Sequence, residues 1–356
     1  MLNRVSQSHE WRRAVVVAAA LLLGACAADE TEAPDVADRV AFRIVPSTVV
    51  AGETFTPEVQ VVLLRADGSV ATGVSADVAL SARSATGPDT LRGTTVVEAT
   101  AGVATFPGLS LVRAGGGVRL FAESPGLTGA ESAPITIQPG RATALVFVAQ
   151  PDSGVAGAPL ATVRVEARDV GGNRATGTAG PVTLTLATGP AGATLAGTVT
   201  TDMVAGQAVF TGVALPRAGS GYTLQASLVG SAATAAISRT FAVRAGAASQ
   251  LAFLVEPSTA VAGQAIVPAP QVVVLDANGN RVNSATPDVT LSVALAPATF
   301  TLGGTLTSTA VAGVATFADV RPGQAAGTVR LTAAAPGLQS ATSVIFTVGT
   351  AVLGAP

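Results

Sequence analysis

The stretch "AGVATF" occupies residues 101–106, and the same six residues return at 312–317. A third version, "AGQAVF", lies between them at 205–210. A hexapeptide that recurs at this spacing in a chain of 356 residues marks an internal repeat of domain size. The surrounding landmarks keep one order. Each copy opens with a related segment: "AFRIVPSTVVAG" (41–52), "VFVAQPDSGVAG" (146–157) and "AFLVEPSTAVAG" (252–263). A Phe precedes Pro46, Pro151 and Pro257 by four residues, and Gly52, Gly157 and Gly263 follow them by six. A polar turn comes next: "ADGS" (66–69), "VGGN" (170–173), "ANGN" (277–280). Then come "DVALSA" (77–82), "PVTLTL" (181–186) and "DVTLSV" (288–293), followed by the hexapeptide. Each copy continues with "VRLFAES" (118–124), "YTLQASL" (222–228) or "VRLTAAA" (329–335), and closes on "ITI" (135–137), "FAV" (241–243) or "FTV" (346–348).

The hydrophobic period inside these landmarks is two. In "VRVEAR" (163–168), Val163, Val165 and Ala167 alternate with Arg164, Glu166 and Arg168. In "VTLTLA" (182–187), Val182, Leu184 and Leu186 are expected inward and the threonines outward. Half-buried strands read this way, and clusters of Gly, Pro, Asn and Asp interrupt them every 8–12 residues. Composition agrees. Hydrophobic residues make up 49% of the chain, with 39 Gly, 21 Pro and only 12% charged residues, which suits short strands and many turns. The expected organisation is all-β: repeats at 39–138, 142–244 and 248–349, then a tail at 350–356. The junctions "PGRAT" (139–143) and "RAGAAS" (244–249) are short, so the angles between repeats are expected to be restricted. Phe42, Phe106, Phe147, Phe210, Phe253 and Phe317 recur at equivalent positions and are expected in the cores. In the hexapeptide, Val103 becomes Gln207 while Phe is kept, which puts Phe inward and the Val position outward.

About 100 residues with seven or so strands is the size of an immunoglobulin-like sandwich. The "DANGN" turn, the "GVATF" strand and the closing F-x-V strand resemble bacterial immunoglobulin-like domains, notably the invasin/intimin-type repeat, over about residues 39–349. That resemblance implies three tandem immunoglobulin-like β-sandwiches of the kind found in extracellular stalks and adhesins. Tyr222, two residues before Leu224, resembles a tyrosine corner; Val118 and Val329 stand there in the other copies. The turn "DANGN" fits a tight hairpin because Asn and Gly tolerate positive φ. It also raises a calcium alternative, since Asp276, Asn278 and Asn280 are oxygen ligands at alternating positions. Repeat one offers only Asp67 there and repeat two only Asp169 with Asn173, and no terminal bidentate Glu follows. A structural turn is therefore the preferred reading, and no metal or cofactor is expected.

The N-terminus reads as an export signal at 1–25. Arg4, Arg12 and Arg13 precede the apolar run "AVVVAAALLL" (14–23), which is too short to span a bilayer. "LGAC" (23–26) resembles the bacterial lipoprotein signal. That resemblance implies cleavage before Cys26, lipidation of its sulfur and a lipid-anchored chain. Ala27 after the cysteine resembles the outer-membrane class of lipoproteins. Residues 26–38, with five acids and Pro34, read as a solvated acidic tether.

After such cleavage, His9 and Trp11 are lost. The chain, which has no Lys, then keeps 17 Arg against 21 Asp and Glu. Without His, Lys or a free thiol, most general bases and activated nucleophiles are missing, and Cys/His zinc sites cannot form. The mildly acidic balance argues against nucleic-acid binding. The Gly-rich runs "AGGGV" (114–118) and "AGSGY" (218–222) read as hairpin loops between strands, since no helix follows them. With one Tyr and no Trp, recognition of sugars by stacking is disfavoured. No catalytic residue is assigned. The expected function is that of a non-enzymatic, lipid-anchored envelope protein. It is held at the membrane through its N-terminal lipid and serves as a stalk or adhesion module toward a protein or cell-surface ligand. Two alternatives are a receptor or assembly subunit for one specific protein partner and a carboxylate-dependent hydrolase.

Overall fold

The structure, a computed structural model, describes residues 35–85 and 87–350. All regular structure among them is β. Repeat one contains β1 (Arg39–Ile44), β2 (Thr48–Val50), β3 (Val59–Leu64), β4 (Asp77–Ser84), β5 (Gly87–Asp89), β6 (Val96–Glu98), β7 (Val103–Phe106), β8 (Gly115–Glu123), β9 (Ala130–Glu131) and β10 (Ile135–Gln138). One sheet has the order β1-β3-β7. The other runs β2-β10-β8-β4-β5, with β6 also on β4 and β9 on β8. The opening segment is divided between the sheets: β1 pairs antiparallel with β3, and β2 parallel with β10. Pro46 sits at the crossing, where its missing N–H suits the end of one ladder. This gives the Phe–Pro–Gly spacing its physical reason. Phe42 belongs to one sheet, Pro46 makes the transfer, and Gly52 turns the chain back at φ 83.

The same arrangement returns twice. In repeat two, Ala144–Ala149, Val163–Arg168 and Gln207–Phe210 form the first sheet. In repeat three, Ala248–Val255, Gln271–Asp276 and Val314–Thr316 do so. The second sheets likewise each gain a short parallel strand, Gly154–Val155 on Phe241–Arg244 and Ala260–Val261 on Phe346–Gly349. The chain is thus three tandem immunoglobulin-like sandwiches.

Alternation builds the cores. Val59, Val61 and Leu63 of β3 are buried against Val78, Leu80 and Ala82 of β4 and Val118, Leu120 and Ala122 of β8. Phe106, Phe210 and Phe317 are almost fully buried, while Val103 and Gln207 are half-exposed, as the substitution pattern implies. Phe147 is also buried, whereas Phe42, Phe253 and Leu186 pack only partly against their cores. A buried serine recurs at Ser132, Ser238 and Ser343. Each hydroxyl accepts the N–H of Leu120, Leu224 or Leu331 and donates to the carbonyl one residue on.

The hexapeptide is a tight turn followed by a strand. Thr100 and Val103 exchange backbone hydrogen bonds around Ala101 (φ 50) and Gly102 (φ 73). Two positive φ values define a type I′ turn, which here carries the chain from β6 on one sheet to β7 on the other. A Cβ on Gly102 would lie 2.6 Å from the Ala71 carbonyl oxygen, so the close approach of backbones requires glycine there. Two expectations are corrected. The runs "AGGGV" and "AGSGY" are not loops, because Gly115–Glu123 and Gly219–Leu228 are strands that begin inside them. Their glycines absorb a register irregularity against the last strand of each repeat. In "DANGN" only Gly279 takes positive φ. The bond from Gly279 N–H to the Asp276 carbonyl makes this a tight turn ended by glycine, with Asn278 in an ordinary conformation.

Replacing Phe106 by Ala should lower the stability of repeat one by about 3–5 kcal/mol. Calorimetry of the whole chain should show its first-repeat transition shifted down, and an unshifted transition would remove Phe106 from the core.

Candidate functional site

The residues singled out in the polar turns meet at the junctions between repeats. In repeat two the turn carries Asp169 and Asn173. The Asp169 carboxylate accepts the backbone N–H groups of Gly171 and Asn173 and the side-chain amide of Asn173, at 2.9–3.0 Å. Its Oδ2 also accepts the N–H of Gly140, in the linker from repeat one, at 2.8 Å. Asn173, held in this way, turns its amide onto repeat one. Its Nδ2 donates to the Val112 carbonyl at 2.7 Å, and its Oδ1 accepts the Ala114 N–H at 2.9 Å.

The second junction repeats the arrangement. Asp276 accepts N–H groups of Asn278, Asn280 and the linker residue Gly246, together with the Asn280 amide. Asn280 donates to the Pro216 carbonyl and accepts from the Ala218 N–H, both at 2.8 Å. A carboxamide has one donor edge and one acceptor edge, so it fits a backbone C=O and N–H two residues apart in a single orientation. The receiving loop is braced from within repeat two. The Tyr222 hydroxyl donates to the Arg217 carbonyl at 2.6 Å, the geometry of a tyrosine corner.

The junctions differ at the middle turn position. A Cβ on Gly171 would lie 2.1 Å from the Val112 carbonyl oxygen, so only glycine lets repeat two approach. In repeat three the equivalent residue is Asn278, whose amide reaches the Ala156 carbonyl of repeat two at 3.2 Å.

In repeat one the charges are exchanged. Arg65 stands where Asp169 and Asp276 stand, as the matching bond from its N–H to the Ser69 carbonyl shows. Asp35 stands where Gly140 and Gly246 stand. Arg65 and Asp35 form an ion pair at 2.7 Å, and Asp35 also accepts the Gly73 N–H. The last residues of the expected tether are therefore fastened to the first sandwich, with Ala37 in its core. Asp67 here makes a local turn to Ser69.

These contacts account for the oxygen-bearing residues that suggested calcium. The Asp276 oxygens face N–H donors, the Asn280 oxygen faces Ala218 and the Asn278 amide faces Ala156. Burial pushes the Asp169 and Asp276 carboxyls up. The hydrogen bonds from Asn173 and Asn280, with those from the linker and turn N–H groups, outweigh it and hold both below the usual carboxylate range. Cys26, the expected lipid anchor, lies outside the described residues. Among the described residues no group of three His, Cys, Asp or Glu is placed to hold a metal.

No family model and no curated protein matches the chain. Among solved structures, FdeC, an Escherichia coli adhesin, is similar over 87% of this chain and 96% of its own, at 19% identity and a TM-score of 0.37. Invasin, a bacterial integrin-binding protein, is similar over 87% of this chain and 60% of its own, at 15% identity and a TM-score of 0.33. Three domains of chicken CNTN1 are similar over 88% of this chain and 98% of theirs, at 10% identity and a TM-score of 0.33.

Asn280→Ala leaves the Ala218 N–H and Pro216 carbonyl without their partner, a cost of about 1–3 kcal/mol. The distance distribution between one spin label on repeat two and one on repeat three should broaden, while the sandwiches keep their circular dichroism. Acid should act on the same contact. An aspartate whose folded pKa is depressed contributes stability above its unfolded value of about 3.9, and that contribution is lost as pH falls through the folded value. Broadening of the same distribution is expected below the ordinary carboxylate range and not near neutrality.

Proposed function

We propose that this chain is a non-enzymatic envelope stalk, held to the outer membrane by lipid on Cys26, that carries an adhesive or interaction surface away from the membrane. The observation that carries the reading is the repeated junction. The same Asp–Asn pair grips the preceding repeat twice in succession, at Asp169/Asn173 and at Asp276/Asn280. Joining sandwiches through directed hydrogen bonds at short linkers restrains their relative angles, which a spacer needs and a flexible string of domains lacks. The ion pair from Asp35 to Arg65 extends the restraint to the end of the tether. The residue inventory supports the absence of catalysis, since the chain beyond Cys26 has no His, Lys or thiol. A lipidated cysteine adds about 0.8 kcal/mol per buried CH₂, and two or more chains hold a protein stably at a bilayer.

Radiolabelled fatty acid should enter the wild-type chain and not Cys26→Ser, and equal labelling of both would overturn the anchor. Protease added to intact cells should remove the repeats if they project outward. Full protection that is lost on opening the outer membrane would place the stalk in the periplasm instead.

A further inference from the structure

The second junction encloses an open cleft of about 1110 Å³ between repeats two and three. Arg217 and Arg244 of repeat two and Arg281 of repeat three line it, and no Asp or Glu does. All three are exposed. The side chains of Arg217 and Arg244 make no hydrogen bond, and none of the three arginines forms an ion pair, among the described residues. Arg281 donates through Nε and Nη2 to the Ala312 carbonyl, which fixes one edge of its guanidinium.

The first junction arranges its charges differently, with Arg113 at the position of Arg217. Gln138 stands at the position of Arg244. Arg174, the counterpart of Arg281, lies 3.9 Å from Glu166. In repeat three the position of Glu166 is taken by Val273. The second junction thus carries Arg244 where the first has Gln138, and Arg281 has no acid at the position of Glu166, in a chain whose overall charge is negative. Like charges facing one cleft repel and await an anion. Guanidinium forks bind carboxylate and sulfate oxygens by short, charge-assisted hydrogen bonds.

The neutral lining narrows the ligand. Ser220, Asn283 and Ser284 supply hydroxyl and amide groups, and no aromatic side chain is present. A protein partner is usually anchored by a buried aromatic or apolar cluster, which this cleft does not offer. Hydroxyls and carboxamides beside three cations suit a chain rich in hydroxyl groups that carries negative charge. We propose that the cleft between repeats two and three binds an anionic polysaccharide, through carboxylate or sulfate groups held by Arg217, Arg244 and Arg281. This gives the interaction surface of the proposed stalk a ligand class, and it rests on that reading only for its biological setting.

The test uses the purified full chain in detergent, titrated by calorimetry with three probes: a uronate oligosaccharide, a sulfated oligosaccharide and neutral dextran. A multiply phosphorylated peptide is run beside them. Binding of either charged sugar and not of dextran is expected, weakening as salt rises. Arg217→Ala/Arg244→Ala should lose at least about tenfold in affinity. The triple variant with Arg281→Ala should lose more, and melting should confirm that each variant folds. Arg43→Ala/Arg92→Ala/Arg164→Ala removes the same charge from exposed positions elsewhere and should bind as wild type. Preference for one sugar assigns the sulfate or the uronate class. The proposal is overturned if neither sugar binds better than dextran, if the control variant loses as much, or if only the phosphopeptide binds. None of these outcomes depends on lipidation, and the spin-label distances report the angles between repeats independently, so the stalk reading survives or fails separately.

Discussion

A carboxylate placed on a turn and nearly closed off from water must be met by donors, and in repeats two and three this one requirement organises everything larger than a single sandwich. Asp169 is 4% exposed and Asp276 is 1% exposed. Each gathers N–H groups from its own turn, which sets the turn's shape, and one from the linker, which sets where the chain enters. What remains of the turn is an asparagine with a fixed orientation, and that orientation is what the preceding repeat receives. Removing the aspartate would leave the asparagine able to rotate, so the reach between repeats depends on a residue that touches the earlier sandwich only through its linker.

The fold was legible because its signals are local. Alternation in "VRVEAR" reports which residues face inward, and the exchange of Val103 for Gln207 beside an unchanged Phe identifies the buried side. The junction was legible only in part. Asp276, Asn278 and Asn280 stood out as oxygen-bearing residues, but their partners lie tens of residues away in another repeat. Nothing in the spacing says whether such oxygens face a cation, a turn or a neighbour. A comparison of copies does carry a hint: Asp and Asn are kept in repeats two and three, whose turns meet the preceding sandwich, and replaced by Arg65 and Ser69 in repeat one, whose turn meets Asp35. The recurring Ser132, Ser238 and Ser343 were overlooked because serine before a closing strand looks like ordinary loop composition. Ala101 and its equivalents at positive φ gave no warning, since alanine is not a residue expected there.

The two junctions also show how copies of one module diverge without losing their joint. The hydrogen bonds from asparagine to backbone engage no side chain of the earlier repeat, so residues around them are free to change. Gly171 and Asn278 solve the same contact by absence and by presence of a side chain. The surrounding charge has moved independently, with Glu166 beside Arg174 at one junction and Val273 in the position of Glu166 at the other. A backbone-directed joint therefore leaves the walls of each cleft open to variation.

The exchanged pair at Arg65 and Asp35 gives the array a polarity. A sandwich placed ahead of repeat one would offer its carbonyl and N–H to a turn bearing arginine and serine, and would find neither the carboxylate nor the carboxamide that reads them. Modules of this type can be multiplied between repeats one and three with every new joint complete. Duplication ahead of Arg65 yields a joint that does not close. The molecule can lengthen in its interior while Arg65 and Asp35 keep their pairing, so its reach can be changed by recombination without disturbing the segment that leads into repeat one.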